Sequence, residues 1–218
     1  MKKSLIALAT VTALSTSPAM ANDFDVTVTN LTNGIYFTPL LMAAHDEMTH
    51  LYMEGMAASA HLQMMAEGGD ISGLSMDLQS ASADIVENPA AGLLAPGAST
   101  TASFMSDNQN DYFSVVGMLL PTNDGFVGAN GIMVPNKPGS YTYYLNGYDA
   151  GTEANNEIVN GMGAPAALGI PADPGGHAVR LARCWRRCRH RQHRLVDRLS
   201  TPRQRLAILA QDDRRHAV

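Results

Sequence analysis

From Phe24 to Asn30 apolar and polar residues alternate strictly, with Phe24, Val26 and Val28 set against Asp25, Thr27 and Thr29. That period of two, rich in β-branched side chains, predicts a half-buried strand closed by the turn residues Thr32-Asn33-Gly34. Ile35-Tyr36-Phe37 continues extended to Pro39, and Leu40 to Ala44 leads towards His45-Asp46. Between Met48 and Glu67 the chain is rich in Met, Ala, Leu and His, which predicts a helix or two short ones, ended by Gly68-Gly69. Leu74 to Glu87 fits a strand or a helix equally. After the turn Leu94-Ala95-Pro96-Gly97, residues 99–105 alternate again, with Thr101, Ser103 and Met105 on one side and Ala102 and Phe104 on the other. The apolar run Tyr112 to Leu120 has strand length and is stopped by Pro121-Thr122-Asn123-Asp124-Gly125. Phe126-Val127, Ile132-Met133-Val134 and Tyr141 to Tyr148 complete the strands, the last dense in aromatics and delivering the chain to Asp149.

Short strands at intervals of about ten residues, separated by turn residues, predict an all-β antiparallel sandwich with one short helical excursion. One domain is expected over residues 22–176, ending in a loop from Glu153 to Gly176 that is rich in Gly, Pro, Ala and Asn. Ahead of it, Lys2 and Lys3 precede an apolar run from Leu5 to Leu14 and the small-residue site Ala19-Met20-Ala21. Residues 1–21 therefore read as a secretory signal peptide, and no segment is long and apolar enough to insert in a membrane. The mature protein is expected outside the cytoplasm, secreted, periplasmic or at the cell surface.

Charge sharpens this picture. All twelve Arg lie at or after Arg180, and residues 22–179 hold one base, Lys137, against seventeen acids, a balance of −16. Such a body repels nucleic acid and anionic lipid and favours cations. At Arg180 the composition turns abruptly to Arg-rich, and residues 177–218 carry both cysteines, Cys184 and Cys188, and the single Trp185. Three readings compete for this tail: a basic arm for anionic partners, a metal site from Cys184, Cys188, His190 and His193, or a gene read out of frame. A one-base shift from Trp185 to Val196 permits Gly-Val-Asp-Ala-Asp-Thr-Gly-Asn-Ile-Val-Ser-Ser, an ordinary loop-then-strand sequence. The expectation is a frameshifted tail, disordered or loosely helical around Leu195, Leu199, Leu206 and Leu209, leaving the sandwich short of its native C-terminal strands.

Two acidic loops carry the candidate chemistry, Pro121 to Gly128 and Tyr148-Asp149-Ala150-Gly151-Thr152-Glu153. Each follows a predicted strand and sets a carboxylate beside glycine. Calcium takes six to eight oxygens from carboxylates and turn carbonyls, so Asp124, Asp149 and Glu153 are the candidate ligands. Turn acids also occupy such positions simply to bond the backbone.

These loops, together with Val26 to Thr32, Tyr36-Phe37-Thr38-Pro39, Ala44-His45-Asp46 and Ala66 to Asp70, resemble the N-terminal spondin domain over about Asp23 to Glu157. The resemblance implies an antiparallel β-sandwich of extracellular adhesion proteins, with calcium held by the acids at Asp124, Asp149 and Glu153. It also implies a non-catalytic module that binds an extracellular protein or glycan. Two positions depart from the family: Glu153 stands where Asp is usual, and Gly125 where animal members usually have Trp.

An enzymatic alternative is a zinc-dependent hydrolase using His45, His50 and His61 with Glu47. His45 and His50 are five apart, about 140° around a helix, so the spacing of a metalloprotease helix is missing. Neither a nucleophile elbow nor a phosphate-binding Gly-Lys motif occurs. The thirteen Met suit core filling; for copper, Met53, Met56, Met64 and Met65 with His61 are the place to look.

Overall fold

The computed structural model describes residues 22–106, 109–156, 158–159 and 169–175, and the backbone of 204–210. Residues 1–21, expected to be a signal peptide, residue 176 and the tail at 177–203 and 211–218 lie outside the described residues.

Among the described residues nine strands and two helices follow the order β1 (Asn22–Asn30), β2 (Tyr36–Phe37), β3 (Leu41–His45), α1 (Ala60–Gly68), α2 (Ser72–Ser80), β4 (Asp84–Glu87), β5 (Ser99–Ser106), β6 (Tyr112–Leu120), β7 (Gly125–Met133), β8 (Ser140–Asp149) and β9 (Gln204–Ala210). Neighbours run β4-β3-β6-β7-β8-β9-β1-β5, with β2 on β6. The two ends of this path approach each other, since the Met105 amide on β5 donates to Asp84 Oδ2 on β4 at 3.2 Å. The result is the all-β sandwich that the alternation implied, and antiparallel pairs dominate it.

Alternation sorts the side chains. On β1, Phe24, Val26 and Val28 enter the interior, where Phe24 stacks on Phe104 and meets Phe113 edge-on. The opposite face is a polar zipper: Thr27 bonds Thr101 at 2.9 Å, Thr29 bonds Ser99 at 2.8 Å, and Ser103 donates to Asp25 Oδ1 at 2.7 Å. β3 is buried on both faces because Met42 and Ala44 face the interior while Leu41 and Ala43 face the helices. Leu62 and Met65 of α1 and Leu74 and Leu78 of α2 close a second core over Val116, Met118 and Phe126.

Three elements differ from the sequence reading. The expected helix over Met48–Glu67 is helical only from Ala60, because Ser59 caps it by accepting the Leu62 amide and Gly55 at φ +80° breaks the preceding stretch. The ambiguous segment from Leu74 to Glu87 is both: α2 through Ser80, then β4 after Ser82 at φ +59°. Phe126-Val127 and Ile132-Met133 lie on one strand, β7. Its small interior residues serve packing, since a Cβ on Gly128 would lie 3.0 Å from Tyr52 Cε1.

The tail segment 204–210, expected to be disordered or loosely helical, runs as β9 parallel to both β1 and β8. Leu206 to Ala210 are five successive apolar residues, and the interval between β1 and β8 offers two rows of backbone donors and acceptors. β8 links the layers: Ser140–Leu145 pair with β9 and Asn146–Asp149 with β7.

Candidate functional site

The antiparallel pairing of β7 with β8 puts Gly125 opposite Asp149, so the loop entering β7 and the loop leaving β8 meet at one end of the sheet. The Ala150 amide donates to the Asp124 carbonyl at 3.1 Å, which extends the ladder into the loops. Within the first loop the Thr122 hydroxyl donates to the Leu119 carbonyl at 2.6 Å and accepts the Gly125 amide at 3.0 Å, fixing a tight turn.

Asp124 is only 1% exposed, and its Oδ2 accepts the Thr152 amide at 2.7 Å and the Glu153 amide at 3.0 Å. Thr152 Oγ1 lies 3.3 Å from the same oxygen. Burial is the largest influence on this carboxyl and pushes its pKa up; the two amides pull it down, and the charge of Asp149 pushes it up. Asp149 is exposed at the mouth, its Oδ1 accepting the Gly151 amide at 2.7 Å and its Oδ2 the Asn155 side-chain amide at 2.9 Å. Glu153 Oε2 accepts the Asn123 side-chain amide at 3.0 Å and the Gly169 amide at 2.7 Å. Its Oε1 is buried and has no hydrogen-bond partner among the described residues.

The two loops are therefore one structural unit, and all three expected acids belong to it. Their carboxylates do not converge, however, and among the described residues no three His, Cys, Asp or Glu side chains gather as a metal-binding group. Asp124 spends one oxygen on backbone amides, whereas Glu153 presents a buried, unsatisfied one. A buried carboxylate oxygen without a donor is costly, and a cation is one way to satisfy it. Sequence reading missed Asn123, Thr152 and Gly169. Asn123 and Thr152 had a local signal as polar neighbours of the acids; Gly169 had none, because the return of the chain beside 158–159 is a tertiary contact.

Among the described residues the three histidines of the enzymatic alternative do not gather as one metal-binding group. His45 is fully buried, its Nδ1 bonded to the Asp46 carbonyl at 2.7 Å and its Nε2 to Ser114 Oγ at 2.6 Å. A carbonyl only accepts, so Nδ1 carries the proton and Ser114 donates to Nε2. His50 Nδ1 faces the Asn130 side-chain amide at 3.2 Å, and His61 Nδ1 pairs with Asp77 at 2.7 Å between the two helices.

The sequence model of the Spondin_N family matches residues 21–159, well over half of the chain and both acidic loops. The chain belongs to the Spondin_N family. Spondin_N domains are non-enzymatic and of extracellular type. No curated protein was found to match the chain. Among the described residues no helix is long and apolar enough to cross a membrane.

Proposed function

We propose that this Spondin_N domain is an exported, calcium-stabilised module that binds an extracellular protein or glycan and catalyses nothing. The observation that carries the calcium reading is Glu153 Oε1, a buried carboxylate oxygen with no partner among the described residues, set in the same loop unit as Asp149 and Asp124. Calcium accepts amide and backbone carbonyl oxygens beside carboxylates, so three converging acids are not required. Glu153 and Asp149 would hold the ion, and Asp124 would hold the two loops in register. The ion's role is structural, offsetting the charge of the loop acids in a body that holds a single base, Lys137.

Thermal unfolding of the mature chain in calcium and in chelator tests the reading. A rise in melting temperature with calcium that vanishes in Asp149→Ala supports it; an unchanged calcium response in that variant removes the site. Export is checked by the mature N-terminus, expected at Asn22. We also propose that the reading frame changes by one base near Arg180. Sequencing the gene across that point decides this: an unaltered frame in independent copies refutes it.

A further inference from the structure

Loop 46–59 crosses from β3 to α1 over the outer face of β7 and β8, and it is firmly seated. Asp46 Oδ1 accepts the Met48 and Thr49 amides at 3.1 and 2.8 Å, and Asn130 accepts the Leu51 amide at 2.9 Å while donating to the Tyr52 carbonyl at 3.0 Å. The Tyr52 ring packs against Phe126 and Tyr148, and the Tyr148 hydroxyl donates to Glu54 at 2.8 Å. The loop sorts its apolar side chains by chemistry. Leu51 is 5% exposed and Tyr52 half-buried, yet the thioethers Met48, Met53 and Met56 are 82%, 60% and 68% exposed.

Met53 and Met56 are the first and last residues of a β-turn. The Met56 amide donates to the Met53 carbonyl at 3.1 Å, and Gly55 at φ +80° supplies the left-handed third position of a type II turn. That geometry holds the two Cα atoms within about 7 Å. Each side chain has three rotatable bonds, so both sulfurs reach one ion without moving the backbone. The tyrosine beneath keeps Glu54 directed back to the sheet, leaving the two thioethers as the outward groups of the turn.

Thioether sulfur is a soft donor that selects Cu(I) over the hard cations, which prefer oxygen. Charge favours a cation as well: the loop carries Asp46, Glu47 and Glu54, and no Lys or Arg lies between residue 22 and Lys137. We propose that Met53 and Met56 form a surface site for a monovalent soft cation, Cu(I), separate from the acidic loops at the end of β7 and β8. Two members of the copper group expected from sequence are committed elsewhere. Met65 is fully buried in the second core, and His61 is paired with Asp77. His50 is set aside because Asn130 donates to its Nδ1, which places the imidazole proton on Nε2.

The test is an anaerobic Cu(I) titration of the mature chain against a chromophoric Cu(I) chelator, with Met53→Leu/Met56→Leu as the variant. Leucine keeps the apolar exposure and removes only the sulfurs, and thermal unfolding of the variant should match the parent because both positions face solvent. The parent is expected to withhold Cu(I) from the chelator and the variant to release it. Ag(I), used as a redox-inert probe, should shift the methyl resonances of Met53 and Met56 and leave those of buried Met42, Met65 and Met118 in place. A parent that never competes, a variant that competes equally, or shifts confined to other methionines would overturn the site.

Discussion

Asp124 and Thr152 stand 28 positions apart in sequence, yet the Thr152 amide donates to Asp124 Oδ2 at 2.7 Å and the next amide, of Glu153, donates to the same oxygen. One buried carboxylate thus holds the loop leaving β8 against the loop entering β7. Asp124→Ala leaves both amides without their acceptor and should lower stability by about 1–3 kcal/mol, with or without calcium. Urea unfolding in chelator measures it, and a loss seen only in calcium would show that Asp124 is a ligand instead of a brace.

Glu153→Gln should behave in the opposite way. It removes the charge of a carboxylate whose Oε1 is unsatisfied, so stability in chelator should hold or rise, while the calcium-dependent gain disappears. A native-state ligand present at a hundred times its Kd adds about 2.7 kcal/mol. A Glu153→Gln protein that keeps the calcium-dependent rise in melting temperature would rule out Glu153 as a ligand.

His45 predicts a pH dependence with a definite sign. Burial, the largest influence, holds its pKa below the usual 6.5 in the folded state, against the opposing pull of Asp46. The unfolded chain therefore binds the proton more readily, so this contribution is complete above about pH 6.5 and is lost as pH falls below it towards the folded value. Asp124, with a raised pKa, contributes in the opposite sense, so the comparison must be a difference. Between pH 7.5 and 5 the parent should lose more stability than His45→Gln, measured by urea midpoints; equal slopes would refute the assignment.

Gly125 allows little at its own position. A Cβ there would lie 2.6 Å from Thr122 Oγ1, the hydroxyl that ties the turn to the Leu119 carbonyl. Gly125→Ala should cost about 1–3 kcal/mol through displacement of Thr122, and Gly125→Trp should cost more. Equilibrium unfolding of the two variants checks the order, and a neutral Trp variant would show that the loop repacks freely.

Where periodicity was strong, the sequence alone was sufficient. The alternation of β1 and β5 set Phe24, Val26, Val28, Ala102 and Phe104 apart from the polar residues opposite them, because a strand admits only one assignment of faces once one of them is buried; the pairing of those polar residues across the strands came from the structure. The acidic loops and the family were legible for the same reason: they are local strings of residues with fixed spacing. Composition misled over Met48–Met56, where helix-tolerant residues form a loop because Leu51 and Tyr52 gain more by packing on the sheet than the segment gains by coiling. Only the tertiary structure decided which acid is a brace and which is unsatisfied. Asp124 and Glu153 carry the same charge, but the pairing of Gly125 with Asp149 brings two backbone amides to one oxygen of Asp124, whereas Glu153 takes its backbone amide from Gly169, where the chain returns beside 158–159. The parallel seat of Gln204–Ala210 between β1 and β8 was equally invisible, since nothing within a strand states which of its neighbours has left an edge to fill.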